Sequence, residues 1–277
     1  MLGVIAVERK FSDAENFDDI TDTLTLLASL LAYRVRSYQR QEEATKKLET
    51  AASLNSSSDL YFRQLSQAYL SQLLKKMQDL TATPTQEEST IMQNLVANSV
   101  NAAKIATDLN PKSINNWSVR GYVYQNLFGI LDDAGTWAIN SYDEALKLDP
   151  NSPYFYFQKG NVNYILAART ESTNRSEKIE YLNKAKELLE KSVSLNTNYS
   201  NALYSLGIVY DALGEKTKAI ESFTRVQQLN PNNEEISEIL ANLKAGKSIS
   251  SMATLPTETP TEESISENTE DEDKTEE

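Results

Sequence analysis

The chain has 277 residues, 40% of them hydrophobic, enough to bury a sizeable core in one or two domains. It contains neither cysteine nor histidine, which excludes disulfides, thiolate nucleophiles, Cys-type zinc sites and every catalytic arrangement built on histidine. The net charge is −13, and residues 248–277 hold ten Asp or Glu against one Lys, so the rest of the chain is only mildly acidic and shows no basic patch for nucleic acid.

In chain order, residues 1–24 form an N-terminal segment that opens with seven apolar residues, Met1 to Val7, followed at once by Glu8. No basic stretch precedes them, so no signal peptide is expected. The run Leu24 to Tyr33 is interrupted by Thr25 and Ser29 and is too short for a membrane span of roughly 20 apolar residues. No membrane-crossing segment is expected, and the cytoplasm is the default location. Helical patterning starts near residue 25. It ends repeatedly in Leu followed by Asn or Asp, at Leu54, Leu109, Leu148, Leu195 and Leu229, with spacings of 55, 39, 47 and 34 residues. A constant frame with insertions explains those spacings.

The last copy, 200–233, places Leu203, Leu206, Gly207 and Tyr210 on one helix and Ala219, Phe223, Val226 and Pro231 on the next. Copies 114–152 (Trp117, Gly121, Tyr124, Ala138, Tyr142, Ala145, Pro150), 153–199 (Tyr156, Gly160, Ala185, Leu189, Ser192) and 59–113 (Phe62, Leu65, Ser66, Tyr69, Ser99, Ala103, Ala106, Pro111) follow the same frame. A degenerate copy over 25–58 carries Ala28, Leu31, Ala32, Ala44, Leu48 and Ala51. The small residues allow two helices to approach closely, and the large ones fill the space between units that cannot bury their own faces alone. Enlarging Gly121 or Gly207 is expected to overpack the contact by about 1–3 kcal/mol.

The insertions all fall between the two helices of a unit. Thr85 with Glu88 reads as a capping box after a turn over 81–85, and 169–176 reads as the turn of the fourth unit. A capping helix over 233–245 ends at Gly246. The acidic tail 247–277, rich in Thr, Ser, Pro and Glu, is expected to be disordered.

These residues resemble the tetratricopeptide repeat family. The resemblance implies an all-α, right-handed superhelical solenoid of about five helix-turn-helix repeats over 25–246. It implies a non-enzymatic scaffold that binds a protein or peptide, without cofactor or metal. The family lines its concave groove with the first helix of each unit. Carried onto this chain, the lining is Arg63 and Gln67; Asn115, Ser118, Tyr122 and Gln125; Tyr154, Phe157, Asn161 and Tyr164; and Asn201, Tyr204 and Asp211. This surface is polar and aromatic, with almost no cation. The lysine and arginine clamp that holds chaperone tails in some members is missing.

The run from Asp59 to Tyr69, the run Asn101 to Pro111, Asn116-Trp117 and the stretch Asp132 to Tyr142 also resemble the soluble repeat region of bacterial O-antigen polymerase/ligase-like membrane proteins. That likeness implies an accessory or detached module of a cell-surface polysaccharide system, with a membrane protein as partner. Other candidate chemistry is sparse. Gly246-Lys247-Ser248 has the end of a phosphate loop but Ala241 where a glycine is required, and it reads as a helix ending. Asp132-Asp133 and Asp271 to Asp273 read as solvated charge. The four Asn-x-Ser triplets at Asn55, Asn116, Asn174 and Asn198 read as composition.

Overall fold

A computed structural model describes residues 39–171, 173–249, 255–256 and 258–260. The N-terminal segment and the first part of the degenerate first repeat lie outside the described residues. By internal contacts the chain divides into two units, Met1–Leu54 and Asn55–Glu277. The described part of the first unit is helical over 39–54 (α1). Ser53 Oγ donates to the Thr50 carbonyl near its end.

The second unit is a run of antiparallel helix pairs: α2 (Asp59–Asp79) with α3 (Gln86–Leu109), α4 (Ile114–Asn126) with α5 (Ala134–Leu148), α6 (Pro153–Arg169) with α7 (Arg175–Leu195), and α8 (Ser200–Ala212) with α9 (Lys216–Leu229). A final helix, α10 (Glu234–Lys244), packs on α9. Each first helix packs most extensively on the second helix of its own pair, and each second helix then meets the first helix of the next. This nearest-neighbour stacking is what a solenoid requires. The all-α expectation holds for the described residues.

Local chemistry sets the helix ends. Thr85 caps α3: its Oγ1 accepts from Glu88 N, and the Glu88 carboxylate accepts from the Thr85 N–H, forming the reciprocal capping box. Pro153 opens α6 behind Ser152, where its missing N–H is harmless. The second helices end alike: Asn110, Asp149, Asn196 and Asn230 each donate a backbone N–H to the carbonyl four residues back. Gly214 and Gly246, both with φ of +79°, end α8 and α10. After α10, Lys247 N–H reaches the Asn242 carbonyl and Gly246 N–H the Leu243 carbonyl, which satisfies two carbonyls the helix leaves open. The Gly-Lys-Ser triplet is thus a helix stop.

Three first-helix glycines sit at close approaches to their paired helices. A Cβ added at Gly121 would lie 2.5 Å from Cε1 of Tyr142, at Gly160 2.6 Å from Cγ of Leu189, and at Gly207 2.5 Å from Cε2 of Phe223. Tyr142, Leu189 and Phe223 are fully buried on the facing second helices, α5, α7 and α9. The glycines therefore set the spacing of each pair, and the large side chains opposite them fill it. The core is continuous through the last two pairs, where Phe157, Leu189, Leu206, Ile208, Phe223 and Ile239 share one buried cluster.

Candidate peptide groove

First helices touch one another across two of the three junctions between pairs, α2 with α4 and α6 with α8, whereas successive second helices make no comparable contact. At those two junctions the stack is tighter on the first-helix side. All thirteen groove residues read from the sequence lie on these first helices. Their exposure divides them. Ser118, Tyr154, Phe157, Asn161 and Asp211 are buried, and the other eight are partly exposed. Together they form a half-buried polar and aromatic strip on the first helices.

Several buried atoms on these helices lack a hydrogen-bond partner: Ser118 Oγ, Tyr154 OH, Ser205 Oγ, Asp211 Oδ1, and both the Oδ1 and Nδ2 of Asn161. Tyr154 OH stands beside Ser118 and Gln158 without a well-formed bond to either. An unpaired buried polar atom costs about 1–3 kcal/mol, so each of these is a place where a water or a ligand atom would pair. Asn161 is the extreme case, at 1% exposure with neither end of its amide satisfied.

Part of this strip is covered by the chain itself. Ser248 Oγ donates to Asp211 Oδ2 at 2.6 Å, and the Ile249 N–H donates to the same oxygen at 2.9 Å. The Ile249 side chain is buried in the core cluster of the last two pairs. Farther on, the Glu258 carboxylate accepts from Tyr199 OH at 2.6 Å and from Asn201 Nδ2, and its carbonyl lies 3.4 Å from Gln158 Nε2. Leu255 packs against the same cluster, and Pro260 is buried. Composition points to a disordered tail, yet these described tail residues make defined contacts with α6 and α8.

A second concavity escaped sequence reading. It holds about 780 Å³ between α4, α5 and the start of α6, walled by Trp117, Trp137 and Tyr156, with Arg120, Asp143 and Lys159 at its margin. Trp137 is 47% exposed and stacks on Tyr124 with ring centroids 6.0 Å apart. Arg120 lies 5.4 Å over the Trp117 ring. Lys159 pairs with Asp143. The frame places Trp117 and Tyr156 at contacts between helices and leaves Trp137 unassigned, which gives no sign of an open cleft. Among the described residues no group of three or more Asp or Glu is placed to hold a metal ion, and no helix is long and apolar enough to cross a membrane.

Burial raises the hydroxyl pKa of Tyr142 and Tyr154 above the ordinary tyrosine value. Burial also raises Tyr204 and Tyr210, which in addition donate to the Glu235 and Glu190 carboxylates at 2.7 Å. A raised folded-state pKa on an acid means the fold holds the proton more tightly than the unfolded chain does. The associated stability is complete below about pH 10, the unfolded tyrosine value, and is lost as pH rises above it. In a titration followed at 295 nm, these four of the fourteen tyrosines are expected to ionise late and together with loss of helical circular dichroism. Smooth ionisation of all fourteen near pH 10 with the helices intact would contradict the buried geometry.

The stacked helix pairs define the class, a helical-repeat solenoid. Family models then match two stretches: the tetratricopeptide repeat over residues 200–233, and a TPR repeat over 137–166. The chain is similar to anaphase-promoting complex subunit 3 of Schizosaccharomyces pombe, 29% identical over 126 residues, which is 46% of this chain and 16% of that protein. It is also 29% identical over 118 residues to TPR repeat-containing protein MJ1428 of Methanocaldococcus jannaschii, covering 35% of this chain and 21% of the relative. The matched region therefore spans less than a quarter of either relative's length. Among solved structures it resembles TTC0263, a thermophilic TPR protein of Thermus thermophilus, with a TM-score of 0.50 and 15% identity over 78% of this chain and 96% of that one. At that identity the likeness concerns the fold alone. Residues 137–166 and 200–233 are tetratricopeptide repeats, and the described helix pairs form a solenoid of that type.

Proposed function

We propose that the chain is a non-enzymatic scaffold that holds an extended peptide along the inner face formed by α2, α4, α6 and α8. The observation that carries this reading is the partly exposed polar and aromatic strip on those helices, with the unpaired amide of Asn161 beneath it, which a peptide reaches by displacing the groups that bury it. A peptide backbone offers alternating N–H and carbonyl groups, the complement an unpaired amide lacks. The partly exposed Tyr122, Tyr164 and Tyr204 supply broad amphipathic contact at low entropic cost. The setting in a bacterial polysaccharide system, with a membrane-protein partner, rests on the residue runs within 59–142 alone and leaves the groove assignment unchanged.

The test uses peptides selected by display on the immobilised full-length chain. Their affinities are remeasured by fluorescence anisotropy against Tyr122→Ala and Asn201→Ala, both partly exposed positions. At least a tenfold loss in one or both variants is the expected result. Unchanged affinity in both would move the binding surface elsewhere, with the Trp117–Trp137 cleft the next place to look.

A further inference from the structure

We propose that the cleft between α4, α5 and the start of α6 is a second peptide site, and that it takes an acidic, proline-flanked segment. A glutamate of the ligand meets Arg120, and the neighbouring proline rings lie on the indoles of Trp117 and Trp137. The cleft shares no residue with the strip on the first helices, so the two sites stand or fall separately. Both tryptophans of the chain line it.

Charge points to an anion. The lining holds three cations, Arg120, Lys147 and Lys159, against two carboxylates, Asp143 and Glu144. Lys159 pairs with Asp143, and Lys147 pairs with Glu144 at 2.6 Å. Arg120 is the cation left over. Its Nη1 donates to Thr107 Oγ1 at 2.9 Å, its Nε is enclosed and unpaired, and its Nη2 has no hydrogen-bond partner among the described residues. A guanidinium does not shed its charge in a protein, so a half-buried one without a counter-ion attracts an anion. It is also held in place, 5.4 Å over the Trp117 ring and 6.0 Å over the Tyr124 ring. Little ordering remains to be done when a carboxylate arrives.

The other polar groups narrow the ligand further. Ser141 Oγ donates to the Trp137 carbonyl at 2.7 Å, and the lysines and carboxylates already pair with one another. Few donors or acceptors are left for a ligand rich in hydroxyls, such as a sugar. Arg120 and the exposed Asn140 amide remain, which match one carboxylate and one backbone peptide group.

The aromatic walls suit a rigid apolar body. Trp117 Nε1 donates to the Pro111 carbonyl at 2.8 Å, and Tyr156 OH to the Pro150 carbonyl at 3.2 Å. Rings at the same frame position of two successive pairs are thus each fixed by the link that precedes them. Trp137 offers a third ring, nearly half exposed and backed by Tyr124. Proline-rich segments dock in aromatic-lined grooves because they are already extended before binding and lose little entropy there.

The test uses the full-length chain and the probe acetyl-Pro-Pro-Glu-Pro-Pro-amide, followed by intrinsic tryptophan fluorescence. That signal reports on the cleft alone, because the chain has no tryptophan elsewhere. A saturable change is expected. Half-saturation should rise about fivefold or more when Gln replaces Glu in the peptide, and likewise for Arg120→Gln against wild type. Should Arg120→Gln fail to fold by circular dichroism, the two peptides compared on wild type decide alone. In a second measurement, fluorescence anisotropy of the fluorescein-labelled probe should show about tenfold weaker binding to Trp137→Ala, a change at an exposed position. No saturable change at millimolar peptide overturns the site. Equal half-saturation for the Glu and Gln peptides overturns recognition by Arg120, and equal binding of a peptide with alanine for proline overturns the proline flanks. Equal affinity of Trp137→Ala and wild type overturns the place. Oligogalacturonate that saturates the same signal at lower concentration than the peptide overturns the peptide class in favour of an acidic sugar. Failure of the groove on the first helices would appear separately, as display-selected peptides insensitive to Tyr122→Ala and Asn201→Ala.

Discussion

Phe223→Ala is expected to destabilise the second unit by about 3–5 kcal/mol, the usual cost of emptying a large aromatic site in a core. Phe223 is fully buried. Its ring meets Tyr204 edge-on with centroids 5.3 Å apart, and it faces Gly207 across the α8–α9 contact. Because Gly207 has no side chain, nothing can move in to fill the space that the ring vacates. At about 2–4 °C per kcal/mol for a chain of this size, the melting temperature should fall by roughly 6–20 °C. In a solenoid the damage stays near its source, so hydrogen exchange should accelerate over α8, α9 and α10 while α2 and α3 remain protected. A loss under 1 kcal/mol, or acceleration spread evenly along the chain, would contradict this packing. The partner glycine gives an internal control. Gly207→Ala alone should destabilise, because its Cβ would sit 2.5 Å from the ring, whereas in a Phe223→Leu background the same change should be near neutral. The two substitutions should therefore be strongly coupled.

That pairing also shows which parts of the molecule are visible in sequence. Gly121, Gly160 and Gly207 recur at one position of the frame, and Tyr142, Leu189 and Phe223 recur opposite them. Recurrence identifies a contact because each unit solves the same packing problem. Thr85 and Glu88 identify a helix start because the capping box is a local motif of four residues. The tail is a different case. Ser248, Ile249, Leu255 and Glu258 have no periodicity, and the contacts that hold Ser248, Ile249 and Glu258 lie 37 to 100 residues away in sequence. Composition averages those few anchors with the many polar residues around them and cannot single them out. The Trp117–Trp137 cleft was hidden for a related reason. Repeat position places a residue on a helix face, but whether neighbouring faces close or leave a gap depends on the insertion over 127–133. There Gly129 and Asp133 take positive φ values of 80° and 57°. The strip on the first helices was legible as a set of positions, while its division into buried and accessible residues was not, since Tyr154 and Phe157 sink between helices as far as core residues do.

Asn161 separates a binding surface from a packing surface most sharply. Asn161→Ala is expected to raise stability by about 1–2 kcal/mol. It removes a buried donor and acceptor that have no partners, worth about 1–3 kcal/mol in desolvation. It also places a better helix former in the interior of α6, worth about 0.6 kcal/mol. Against these stands the modest dispersion attraction that a small side chain gives up on truncation. Chemical denaturation should show a higher midpoint at unchanged slope. The same variant should bind display-selected peptides at least tenfold more weakly, because the ligand's backbone loses the amide that the groove holds ready. Opposite signs for stability and binding are the mark of a residue kept for its ligand at a cost to the fold. If Asn161→Ala destabilises the chain and leaves peptide affinity intact, the amide serves packing, and the groove reading loses the amide on which it partly stands.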